Sequence, residues 1–211
     1  MQERGTVMTI SVNYDAAFAS STIDDYLAFW SAGFVTAGHG YSNTGGFSNG
    51  TYDGDQYATH GRNSSDYAFI ADSNNANGLH YVFDPSKAPG DNLNHYLWGS
   101  LDNVSLGEVL GGGSGSDFTL GNYVVNFNGL DLDAAHGAGR AGNEVQTVIY
   151  GLMQGNTAGL EGVLDTLLAS YGVSTNDTFD VVAAALGGAS GAASAQAVGV
   201  QALPEDLALA A

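Results

Sequence analysis

Two side chains in the stretch 79–101 have types and spacing that could do chemistry. Tyr81 stands in a first apolar, aromatic-rich run and His95 opens a second, with a Pro/Gly/Asp/Asn segment between them. This pattern reads as a strand, a loop and a returning strand, and closing the hairpin brings phenol and imidazole to the same end. A phenol keeps its proton up to about pH 10, and a hydrogen-bonded imidazole can accept that proton or stabilise the phenolate. Phenolate is a hard, anionic oxygen donor, suited to ferric iron and poorly suited to soft metals. The plainer reading is two aromatics at a hairpin boundary, and these residues alone leave both readings open.

The remaining histidines are His39, His60, His80 and His136. His80 adjoins Tyr81, so on a strand it faces the opposite side of the sheet. His60 and His136 sit among Gly, Asn and Arg and read as solvated loop residues. His39 lies between Gly38 and Gly40 with no apolar reason to be there, which makes it a candidate ligand. Cysteine is absent, which excludes disulfides, Cys-ligated zinc and iron–sulfur clusters. A metal site here must be built from His, Tyr, Asp, Glu, Met or backbone oxygen.

No nucleophile elbow, phosphate loop or His-Glu-x-x-His motif occurs, and no carboxylate pair stands out for acid/base work, so no catalytic residue is assigned. The segment 112–119, Gly-Gly-Ser-Gly-Ser-Asp-Phe-Thr, matches the start of a calcium-binding β-roll repeat. Rolls need stacked copies, and Thr119 replaces the large aliphatic residue, so a glycine loop is the better reading.

The elements that must position Tyr81 and His95 follow from the patterning. Residues 8–14 alternate Ile10, Val12 and Tyr14 against polar neighbours, as in a half-buried strand. Thr22 then caps a helix whose Ile23, Tyr26, Leu27, Trp30 and Phe34 form one apolar stripe. A Gly- and Asn-rich loop, 35–55, follows and contains His39. Short strands are expected at 56–59, 67–71, 79–83, 95–101, 104–106 and 123–127, close enough together for an antiparallel meander. From Asn143 three helical stripes follow: Val145 to Leu152, Leu160 to Leu168 with Thr157 as cap and Gly172 as stop, and Phe179 to Leu186. This order predicts an α+β domain, a mostly antiparallel sheet packed on one face by about four helices.

The 211 residues suffice for one domain with a sizeable core, expected over 8–187, and a flexible Gly/Ala/Ser-rich tail over 188–211. Four Lys+Arg against 22 Asp+Glu give a net charge of −18, which argues against nucleic acid and anionic membrane surfaces as partners. Residues 1–7 lack the apolar core of a secretory signal, and no run approaches the ~20 apolar residues of a membrane span. The terminus 203–211, LPEDLALAA, is acidic and then aliphatic, and reads as an address label for an exporter.

Five strings occur in order along the chain: TIDDYL from Thr22, NTGGF from Asn43, DGDQYA from Asp53, YGLM from Tyr150 and LALAA from Leu207. Together they resemble the HasA-type haemophores, secreted bacterial haem carriers, with Pseudomonas-type members the nearest in pattern. The likeness runs from about Met8 to Ala211. It implies a curved antiparallel sheet against a wall of helices, with one ferric haem b gripped between two loops.

By the same resemblance His39 and Tyr81 would be the axial iron ligands, and His95 would be hydrogen-bonded to Tyr81. Leu97, Tyr150 and Met153 would line the apolar pocket. The resemblance further implies an extracellular monomer without a cleaved N-terminal signal, exported by an ABC-type machine that reads the C-terminus. It would take haem from host haemoglobin or another source and deliver it to an outer-membrane receptor. Two lengths depart from the family pattern: the segment between His39 and Asn43 is shorter, with Tyr41 as an alternative neighbour, and 85–94 carries an insertion. The alternatives weighed are a tyrosinate-haem peroxidase or catalase-like enzyme, which needs an open distal face, and a calcium-binding β module.

Overall fold

A computed structural model describes residues 9–34, 46–61, 65–113 and 115–189. His39, Tyr41 and the tail 190–211 lie outside the described residues. Among the described residues, eight strands and four α-helices follow one another as β1 (Ser11–Tyr14), α1 (Ile23–Gly33), β2 (Gly46–Phe47), β3 (Asp53–Gly54), β4 (Gln56–His60), β5 (Tyr67–Asp72), β6 (Leu79–Phe83), β7 (His95–Gly112), β8 (Phe118–Ala134), α2 (Glu144–Met153), α3 (Ala158–Leu168) and α4 (Phe179–Ala189). They form the expected α+β arrangement, an antiparallel sheet in the order β1-β8-β7-β5-β4-β2 with helices against it.

The 18-residue β7 is the spine. β8 pairs along one edge, while the other edge takes β6 at residues 95–99 and β5 at 103–108. Two separate strands, 95–101 and 104–106, were expected here; the chain forms one. The interruption is a register shift between Leu101 and Asn103. Core-facing residues change parity across it: Leu97 and Leu101 on one side, Val104 and Leu106 on the other, all buried. An irregularity in the ladder lets an apolar pattern change phase without leaving the core. Asp102, buried at the shift, accepts the Asn74 amide at 2.6 Å and so stays satisfied.

The helices form where the stripes predict. The Thr22 hydroxyl accepts the Asp25 amide at 3.0 Å, capping α1, and Asn143 caps α2 through Gln146 N at 2.9 Å. Thr157 makes no side-chain cap on α3; Asn156 Oδ1 receives the Ala158 amide at 3.0 Å instead. Gly172 adopts the left-handed conformation, φ +74°, and ends that helical segment. Ile23, Leu27 and Trp30 of α1, Val148 and Ile149 of α2, Leu160 and Leu164 of α3, and Phe179 and Val182 of α4 share one core with the inner face of the sheet. Trp30 Nε1 donates to the Ala68 carbonyl at 3.1 Å, fixing α1 over β5.

Candidate functional site at the β6–β7 hairpin

Tyr81 occupies the middle of β6 and pairs with Leu97, while His95 opens β7 opposite Phe83. Directly paired and diagonal residues of an antiparallel pair share a face, so all four side chains project from one side of the hairpin. The Tyr81 and His95 rings stand 6.4 Å apart, centroid to centroid, tilted by 60°. The connecting segment 84–94 does not separate the strands, because it folds onto itself. Asp84 N donates to Asn94 O at 2.6 Å, and Asn94 Nδ2 donates to the carbonyls of Asp84 and Lys87 at 2.9 and 2.8 Å. The extra length is taken up in turns, and phenol and imidazole still meet.

They meet without bonding each other. Among the described residues the Tyr81 hydroxyl makes no hydrogen bond, whereas His95 Nε2 lies 3.0 Å from Arg140 Nη1. Arg140 sits in the turn between β8 and α2, and its Nη2 donates to the Asp91 carbonyl at 2.6 Å. Burial and the Arg140 charge both lower the His95 pKa from its ordinary value, so the ring is held neutral. Burial and the neighbouring Tyr52 raise the Tyr81 pKa, while the Arg140 charge pulls it down.

Tyr52 and Arg140 are site residues that sequence reasoning missed. The Tyr81 amide donates to the Tyr52 carbonyl at 2.7 Å, β3 pairs with β6 beside it, and the two phenol rings stand 5.8 Å apart. Nothing local in the sequence marks Tyr52, because its contact crosses 29 residues of chain. Arg140 had one available signal: it is one of only four Lys+Arg in a chain of net charge −18. On the opposite face His80 stacks on Trp98 at 4.0 Å and His136 approaches Trp98 edge-on at 5.2 Å, so these imidazoles are directed away from Tyr81.

Helix α2 is locked onto β7 beside the site. The Leu97 amide donates to Gln146 Oε1 at 2.7 Å, and Asn143 Nδ2 donates to the Leu97 carbonyl at 2.8 Å. The Leu97 side chain is only 4% exposed and belongs to the core. Tyr150 and Met153 follow Gln146 along α2 at steps of four and three. Met153 packs against the core and Tyr150 stays 47% exposed.

The donor set suits a hard trivalent cation: a phenol oxygen, an imidazole on the same face and a guanidinium to favour the anion. The exposed rings of Tyr52, in contact with the Tyr81 ring, and of Phe83, two residues along the same face of β6, suit a flat apolar guest carrying the cation.

The family model described as Heme-binding protein A (HasA) matches residues 8–211. The chain belongs to the HasA family. Among curated proteins, this HasA-family chain is 39% identical over 183 residues to Hemophore HasA of Serratia marcescens, covering 84% of the chain and 92% of that protein. Among solved structures it resembles the holo hemophore HasA of Yersinia pestis, at 22% identity and a TM-score of 0.64, covering 82% of the chain and 95% of that structure. An apo form of the Yersinia pestis protein matches at 24% identity and TM-score 0.64, covering 82% and 92%. At these identities the structural likeness speaks for the HasA fold.

Proposed function

We infer that this HasA-family chain is a haem-binding carrier, with Tyr81 as the anionic ligand to ferric haem b. The carrier function and its haem cargo rest on family membership and on the 39% identity to Hemophore HasA. It is a carrier and not an enzyme. The observation that carries the assignment of the site is the half-buried Tyr81 phenol, unbonded among the described residues, with the neutral His95 ring 6.4 Å away.

Haem supplies a ferric centre with two axial positions. In this reading Tyr81 fills one and His39 the other, which leaves no coordination site for oxygen or peroxide and suits carriage over turnover. An anionic oxygen donor stabilises the ferric state. His95 supports the Tyr81 oxygen from behind, and Leu97 holds Tyr81 in register while Tyr150 and Met153 supply apolar surface. Burial of the macrocycle contributes at ~25 cal/mol per Å², less the cost of ordering the site.

The chain works outside the cell and hands its cargo to a receptor. Our reading assigns residues 8–187 to the haem-binding domain and 188–211 to a tail read by an ABC-type exporter without cleavage of an N-terminal signal. It also makes the carrier a monomer that takes haem from haemoglobin or another host source and passes it to an outer-membrane receptor. The test of the ligand set is the visible spectrum after adding ferric haem to wild type, Tyr81→Ala and His39→Ala. Six-coordinate tyrosinate character is expected in wild type and its loss in Tyr81→Ala; a spectrum unchanged by Tyr81→Ala would overturn the assignment.

A further inference from the structure

Arg140 is not among the residues to which the resemblance gave a role, yet its guanidinium reaches three groups around the hairpin. Nη1 faces His95 Nε2 at 3.0 Å, and Nη2 faces the carbonyls of Asp91 at 2.6 Å and Pro89 at 3.5 Å. Its own backbone is fixed as well. Asn92 Oδ1 accepts the Arg140 and Ala141 amides, both at 2.7 Å. Arg140 is thus tied to the 84–94 loop on one side and to the His95 ring on the other.

A guanidinium has five N–H donors and no acceptor, and it stays protonated. The contact therefore requires a bare lone pair on Nε2. A neutral imidazole carries one proton, and with Nε2 bare that proton resides on Nδ1.

We propose that Arg140 is a positioning residue that fixes His95 as its Nδ1–H tautomer and so makes the ring a hydrogen-bond donor toward the Tyr81 oxygen. This inference rests on the reading of Tyr81 as the iron ligand. The distinction matters chemically. An acceptor nitrogen beside a phenol holds the phenol's proton in place. A donor N–H bonds a neutral phenol oxygen modestly and the phenolate about twice as strongly, since an ionised acceptor strengthens a hydrogen bond by about that factor. Were ferric iron to bind the Tyr81 oxygen, the phenol proton would pass to solvent and the Nδ1–H would be free to bond the phenolate left behind. Arg140 selects the tautomer that favours the metal-binding form.

The test begins with the haem-free full chain, labelled with ¹⁵N and read by long-range ¹H–¹⁵N correlation at the His95 ring near neutral pH. Wild type should show Nδ1 in the protonated range and Nε2 in the bare range. Arg140→Ala should lose that preference and Arg140→Lys, still a cationic donor, should restore it. In the loaded protein, Arg140→Ala should weaken the tyrosinate charge-transfer band and release haem faster by on the order of tenfold, with Lys intermediate. Protonated Nε2 in wild type overturns the proposal even if Arg140→Ala fails to fold, and so does an unchanged tautomer in Arg140→Ala. A wild type with the Nδ1–H ring but no tyrosinate band leaves the tautomer standing and overturns the Tyr81 reading instead.

Discussion

Gln146 accepts the backbone amide of Leu97 at 2.7 Å, a helix side chain completing the edge of a strand opposite the one that β6 pairs. β8 begins to pair with β7 only at Gly99, so at Leu97 that edge of β7 is left to α2, and Asn143 takes the Leu97 carbonyl at 2.8 Å. Two amides thereby set the distance between α2 and the hairpin that carries Tyr81.

Gln146→Leu strands the buried Leu97 N–H. We expect a loss of about 1–3 kcal/mol, the cost of an unsatisfied buried donor. Urea unfolding measures it, and amide exchange at Leu97 should speed up while exchange at Leu106 follows global stability only. Unaltered stability would show that the bond contributes nothing net.

Gly99 is irreplaceable on two counts. Its φ is +111°, and an added Cβ would lie 2.2 Å from the Gly78 carbonyl oxygen. Gly99→Ala should cost roughly 3 kcal/mol from backbone strain and overpacking together, lowering Tm by roughly 6–12 °C. Gly90→Ala in the neighbouring loop, where an added Cβ meets nothing within 4 Å, is the control and should leave Tm in place. A similar Tm for both variants would refute the argument.

Acid should loosen the hairpin through His95. Its folded pKa is lowered, first by burial and then by Arg140, so the unfolded chain binds the proton more readily. The stability that neutral His95 contributes is therefore complete above about pH 6.5, the unfolded value, and is lost as pH falls from there toward the folded one. Denaturant midpoints of wild type should drop between pH 7 and pH 5, and those of His95→Gln should drop less. Parallel curves for the two proteins would exclude His95 as the titrating group.

Glu161 on α3 has its pKa raised by burial and by the nearby carboxylates of Asp24 and Asp165. An acid with a raised folded pKa binds protons more readily in the folded state, so its charging lowers stability as pH rises through that range. Glu161→Gln removes the repulsion and should stabilise the fold at pH 7 by roughly 0.5 kcal/mol after solvent screening, or about 1–2 °C in Tm. No gain, or a gain that persists at pH 3, would contradict this origin.

The sequence by itself determined the four helices, the antiparallel character of the sheet and the meeting of Tyr81 with His95 at one hairpin. Apolar stripes such as Ile23 to Phe34 and Leu160 to Leu168 are local patterns that have one way to be buried, and a hairpin brings its two ends together whatever lies elsewhere. Continuity of β7 across Asp102 escaped that reading. A buried carboxylate breaks the alternation, and the Asn74 amide that satisfies it lies 28 residues away. Only the tertiary structure decided what His95 touches. Arg140 is 45 residues beyond it and Tyr52 is 29 residues before Tyr81, so no local period links them. Hydrogen bonds and ring contacts are short-ranged in space yet indifferent to chain separation, and this is why the partners of a legible pair were themselves illegible.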